Sequence, residues 1–175
     1  MSQHKKIRTV WDICSLPFVY TTSCRPTNSD LPDVLPFSLG VDDNAGYLVQ
    51  MPNSRISEVL KKAYMKGSMI TGFMDDGGLG RKYADDFLGF LVRSLIGKKN
   101  IRGMRVLELG CGTGYLLSRL KELGADVLGV EPGPHGIRGG ERFNVPIIHG
   151  FFPNDQVKGK YDLILGYGLI EHVED

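Results

Sequence analysis

The chain has 175 residues, the size of one domain with an extension or of part of a larger fold. Its 21 basic and 20 acidic side chains leave a net charge of +1, which gives no reason to expect a nucleic-acid or membrane partner. No apolar run approaches the roughly 18 residues of a membrane span. His4-Lys5-Lys6 is not followed by a signal-peptide core, and Cys14, Cys24 and Cys111 make no disulfide framework, so a reduced, cytoplasmic protein is expected.

Residues 1–55 read as an irregular extension punctuated by Pro17, Pro26, Pro32, Pro36 and Pro52. Phe18-Val19-Tyr20 and Tyr47-Leu48-Val49 are its candidate short strands. From Ser54 to Lys66 the pattern turns helical, with Ile56, Val59, Leu60 and Ala63 on one face and Ser54 or Ser57 as the cap. Met74 to Gly80 reads as a glycine-rich loop. A second helix is expected from about Arg81 to Ile96, with Tyr83, Phe87, Phe90, Leu91, Ser94 and Leu95 on one face, Asp85, Asp86 and Arg93 elsewhere, and Gly97 as its C-cap.

The last third alternates strands and helices. Strands are expected over Met104 to Leu109, Val127 to Val130, Val145 to His149 and Tyr161 to Gly166. The helices between them run from Tyr115 to Leu123 and from Ile137 to Phe143. Gly139 and Gly140 weaken the second of these, each costing about 1 kcal/mol relative to Ala. Such alternation predicts a parallel sheet with right-handed crossovers.

The most informative stretch is Val106-Leu107-Glu108-Leu109-Gly110-Cys111-Gly112-Thr113-Gly114. A buried strand runs into three glycines at alternate positions, and a helix follows at once. Glycine allows a sharp turn and a close approach of ligand to backbone. The helix start adds free N–H groups and partial positive charge. Glu131 closes the next strand, where in a doubly wound sheet its carboxylate can accept hydrogen bonds from a ribose diol. A strand-end position also suggests that replacing Glu131 leaves the fold intact. The glycine spacing is not the G-x-G-x-x-G of dinucleotide sites, and Glu108 is a poor neighbour for a pyrophosphate. It suits a ligand with a cationic amine or sulfonium.

Glu108 to Gly114 resembles the first motif of class I S-adenosylmethionine-dependent methyltransferases. Val127 to Pro132 resembles their second motif. Tyr161 to Leu165, followed by Ile170-Glu171-His172-Val173, resembles their fourth. The Glu-His-Val run is nearest to small-molecule O- and C-methyltransferases. The resemblance covers about Met104 to Asp175 and implies a Rossmann-like sheet of order 3-2-1-4, occupying residues 56–175 and truncated after its fourth strand. It implies S-adenosylmethionine as cofactor and a small molecule as methyl acceptor. Glu108 and Gly110 would lie by the methionine part, Gly112 and Gly114 would shape the turn, and Glu131 would hold the ribose. Phe151 would meet the adenine, and Gly166 and Tyr167 would lie by the methyl donor. His172 would be a general base, with Glu171 beside it.

Some related ubiquinone-pathway O-methyltransferases place an acidic residue three positions before this Glu to help hold a metal. Gly168 stands there, so no metal site is expected. Leu39 to Gln50 resembles a zinc-ribbon segment of sugar C-methyltransferases, but Asp42 and Ala45 stand where its second cysteine pair would fall. A chain ending after the fourth strand leaves an edge open to self-association and is expected to turn over poorly alone. The alternatives are a non-catalytic S-adenosylmethionine-binding module and, against the glycine spacing, a nicotinamide-dependent oxidoreductase.

Overall fold

The computed structural model describes residues 7–18, 30–67, 79–96 and 100–173. The chain divides into two compact units, Met1–Ala63 and Tyr64–Asp175, a boundary eight residues later than the sequence places it.

The first unit is not irregular. Strands β1 (Ile7–Pro17), β2 (Val34–Asp42) and β3 (Leu48–Gln50) form an antiparallel sheet in that order. Only the expected strand near Tyr47 is recovered among them; Phe18 follows β1, and Val19 and Tyr20 lie outside the described residues. Asp42 is buried, and its Oδ1 accepts the N–H groups of Asn44 at 2.9 Å and Ala45 at 3.0 Å, which holds the β2–β3 turn. At the positions compared with zinc-binding cysteines, the turn is therefore closed by a carboxylate and two amides. The unit has a small core of Leu31, Leu35, Val59 and Ala63, with Phe18 packed against it.

Helix α1 (Ser54–Lys66) begins and ends as expected, with Ile56, Val59 and Ala63 buried. Its cap is Asn53, one residue before the expected serine; Asn53 Oδ1 accepts the N–H groups of Arg55 at 3.0 Å and Ile56 at 3.3 Å. Helix α2 (Leu79–Phe90) continues as a π-helical segment over Leu91–Ile96. Its buried stripe is Ala84, Leu88 and Leu91, whereas Tyr83 and Phe90 are about half exposed, at 53% and 47%. Of the residues that the sequence put on one face, Leu91 is fully buried and Phe87 packs against the core, while the aliphatic Ala84 and Leu88 complete the stripe in place of Tyr83 and Phe90. Most of the expected loop before α2, and the expected cap Gly97, lie outside the described residues.

The second unit is a parallel α/β sheet. Its elements are β4 (Arg105–Leu109), α3 (Tyr115–Glu122), β5 (Asp126–Glu131), α4 (Pro134–Phe143), β6 (Ile147–His149) and β7 (Leu163–Leu165). The order β6-β5-β4-β7 is third, second, first, fourth among the parallel strands, as expected. Val106, Leu116, Leu117, Leu120, Val127 and Leu165 fill the core between sheet and helices. Pro134 starts α4, where the missing N–H costs nothing, and Asn144 ends it in the left-handed conformation at φ 50°.

At the N-terminal end of β4, Arg105 fastens the approach to β7. Its guanidinium donates to the Lys160 carbonyl at 2.7 Å and the Lys158 carbonyl at 3.3 Å. Its backbone N–H donates to Asp162 at 2.8 Å. Among the described residues, no helix is long and apolar enough to cross a membrane.

Candidate functional site

The site lies where β4 and β5 end. Gly110, Gly112 and Gly114 have φ of 66°, 56° and 75°, a left-handed region costly for residues with a side chain. The alternate spacing of the glycines is thus the turn's own demand. The turn hangs from β5 by one carbonyl: Val130 O accepts the N–H groups of Gly110 at 2.9 Å and Cys111 at 3.3 Å.

Glu131 sits against this turn and is only 6% exposed. Its Oε2 accepts the Gly112 N–H at 2.9 Å, its Oε1 accepts the Gly133 N–H at 2.7 Å, and His135 Nε2 lies 3.2 Å from Oε1. The carboxylate therefore ties two loops together, which corrects the expectation that it could be removed without effect on the fold. A carboxylate has about four lone-pair positions, so further acceptor capacity remains for a ligand's hydroxyl groups.

Glu108 is 4% exposed, in register between Gly129 and Leu165, and its Oε2 has no hydrogen-bond partner among the described residues. Burial first, and then the charge of Glu131, push its carboxyl up from 4.5 to about 8. Burial likewise pushes the Cys111 thiol up, followed by Glu108 and Glu131, so it stays an unreactive thiol. A buried carboxyl oxygen without a donor is costly unless a ligand supplies one.

The sequence missed how α4 meets this turn. Gly133, Gly136 and Gly139 stand three apart, and a Cβ at any of them would collide: with His135, with Glu131, and with the backbone of Thr113 respectively. The i, i+3 spacing of these glycines was the available signal. What reads as a weakness of the helix is the condition for its close approach.

The remaining expected residues lie farther along the same edge. Gly150 N–H donates to the Glu131 carbonyl at 3.0 Å, bringing Phe151, 39% exposed, just beyond β6. Gly166 and Tyr167 follow β7, and the Tyr167 ring stacks on Phe87 at 4.2 Å and 8°. Leu169 packs so closely on Gly110 that a Cβ there would lie 2.9 Å from its Cδ1, and it lies within ordinary contact of Gly166. Glu171 and His172 belong to a short 3-10 turn, Ile170–His172. Tyr64 Oη lies 2.8 Å from His172 Nδ1, a pairing that sequence reasoning did not anticipate.

A four-stranded parallel sheet of this order, with a three-glycine turn after its first strand and an acid closing its second, is the arrangement of class I S-adenosylmethionine-dependent methyltransferases. Residues 80–175 match the family model of a methyltransferase domain, and the chain belongs to that family. It is 30% identical over 81 residues to a ubiquinone biosynthesis O-methyltransferase of Rhodopseudomonas palustris, covering 43% of this chain and 32% of that one. It is 32% identical over 90 residues to its namesake from Bradyrhizobium diazoefficiens, covering 48% and 34%. The matched segment thus spans about a third of the length of these curated relatives. Among solved structures, magnesium protoporphyrin IX methyltransferase from Synechocystis PCC 6803 is 20% identical with a TM-score of 0.44, over 62% of this chain and 57% of that one.

Proposed function

We propose that this chain binds S-adenosylmethionine at the β4 turn and serves methyl transfer to a small-molecule acceptor. The observation that carries the reading is the buried Glu108 oxygen that finds no donor among the described residues, beside a turn whose three glycines keep side chains out of the way. An amino group fits that oxygen; a pyrophosphate does not.

When bound, S-adenosylmethionine supplies a methyl group on a positively charged sulfur. Glu108 and Gly110 would hold the amino-acid end, and Gly112 and Gly114 would shape the floor. Glu131 would accept hydrogen bonds from the ribose hydroxyls with the lone pairs its two loops leave free. Phe151 would cover the adenine, and Gly166 and Tyr167 would flank the reacting end. His172 would take the proton of the acceptor, with Glu171 next to it in the turn. The relatives named above are O-methyltransferases, which points to a hydroxyl oxygen as the acceptor atom.

Calorimetric titration of the folded chain with S-adenosylhomocysteine and with NAD tests the reading. Binding of the first and not the second is expected. NAD binding would assign the turn to a dinucleotide. Methyl incorporation from labelled donor into a panel of phenols, sugars and small acids separates an enzyme from a binding module.

A further inference from the structure

Tyr64 and His172 both belong to the second unit, 108 positions apart in sequence. The phenol oxygen lies 2.8 Å from Nδ1, and the rings meet edge to face with centroids 5.8 Å apart at 75°. Each partner is seated on one of the two cofactor motifs. After Tyr64 the chain turns at Gly67, φ 85°, whose N–H donates to the Tyr64 carbonyl at 3.0 Å. A Cβ on Gly67 would lie 3.3 Å from the Pro134 ring and 3.5 Å from His135 Nδ1, beside Glu131. On the other side, His172 N–H donates to the Leu169 carbonyl at 2.8 Å, and the Leu169 side chain packs on Gly110.

A neutral imidazole carries one N–H and one lone pair, and the bond made by one nitrogen decides the state of the other. A phenol oxygen can accept or donate. We propose that Tyr64 is a positioning residue for methyl transfer: its oxygen accepts from Nδ1–H of His172 and holds the ring in the tautomer whose Nε2 lone pair is free. This rests on His172 being the base. Were Tyr64 the donor, Nε2 would carry the hydrogen and could accept none. With Tyr64 as acceptor, the acceptor's O–H bond breaks and its proton goes to Nε2. The electron pair left on that oxygen bonds to the methyl carbon, while the pair of the broken S–C bond returns to sulfur. The resulting imidazolium keeps its Nδ1–H on Tyr64 throughout and afterwards gives its extra proton to water.

The test is nitrogen NMR of the His172 ring in the full chain, above the titration of the imidazole, for wild type and Tyr64→Phe. The Phe variant keeps the ring packing and loses the oxygen. The Nδ1–H form is expected to dominate in wild type and to give way to Nε2–H in Tyr64→Phe. In the methyl-incorporation assay, kcat should fall about 10- to 100-fold with the donor KM unchanged, the scale of a misoriented group. An Nε2–H form in wild type, or identical spectra in both proteins, would overturn the proposal. An inactive His172→Ala beside a fully active Tyr64→Phe overturns the role of Tyr64 alone. Normal turnover by His172→Ala overturns the base reading and with it Tyr64's part in the reaction, while a tautomer change would still establish the pairing.

Discussion

A Cβ built on Gly139 would lie 2.5 Å from Thr113 Cα and 2.6 Å from its carbonyl carbon, so α4 rests directly on the backbone of the glycine turn. Gly139→Ala should therefore destabilise the chain by about 1–3 kcal/mol, as overpacking does. The gain in helix propensity, about 1 kcal/mol, is too small to offset it. Gly140→Ala is the comparison: its methyl would meet the Val145 carbonyl oxygen at 3.1 Å and Ile147 at 3.6 Å, a contact that small shifts can relieve. Urea unfolding of both variants checks this. A stabilised Gly139→Ala would show that the two backbones are not in contact.

Glu131→Ala should weaken S-adenosylhomocysteine binding by about 1.5–3 kcal/mol, the scale of hydrogen bonds to a charged group. It should also lower stability by at least about 1–3 kcal/mol, because the Gly112 and Gly133 N–H groups lose their acceptor. Glu131→Gln keeps one acceptor oxygen and should lose less of both. Calorimetry and urea unfolding on the same preparations separate the two effects. Unchanged affinity in folded Glu131→Ala would remove the ribose assignment.

The folded chain holds a proton on Glu108 up to about pH 8, whereas an unfolded carboxyl releases it near 4.5. The folded state then binds more protons between these values. Its stability contribution is complete below about pH 4.5 and is lost as pH rises toward 8. The slope from this one group is at most about 1.4 kcal/mol per pH unit. Urea unfolding between pH 5 and 8 should show wild type losing stability relative to Glu108→Gln as pH rises; parallel profiles would contradict it. If an ammonium group binds at Glu108, S-adenosylhomocysteine at pH 7 should displace up to one proton. Calorimetry in buffers of different ionisation enthalpy reads that directly.

Asp42→Ala should destabilise the first unit by about 1–2 kcal/mol, since two turn amides lose the oxygen that accepts them. A chelator should leave the melting temperature of the wild type unchanged. A large drop with chelator would mean that a metal, and not the carboxylate, holds the turn.

The parallel sheet was legible because its signals are local: short apolar strands, glycines at alternate positions, and an acid closing the next strand. The antiparallel sheet was not. β1 is mostly exposed and its register slips between Thr9 and Trp11 and between Ile13 and Leu16, so no two-residue alternation survives in its sequence. In α2, weighting the large aromatics found Leu91 but missed Ala84 and Leu88, which stand seven and three residues before it on the same stripe. The π-helical continuation after Phe90 then departs from the 3.6-residue period used to read the face. In the candidate site, the glycine turn and the acid at the end of β5 lie together because each is carried by one turn or one strand end. Contacts between distant segments, such as Gly139 with Thr113 and Tyr64 with His172, leave no local pattern to read.

Arg105 starts the strand whose other end carries Gly110, so the clamp on Lys158, Lys160 and Asp162 and the glycine turn lie at opposite poles of β4. That polarity gives a protein engineer two separately adjustable ends. Dyes, surface tethers or fusion partners attached around the Lys158–Lys160 loop would stand a strand's length from the glycine turn, and sequence drift there would be felt as wear on the scaffold before it was felt as a change of chemistry.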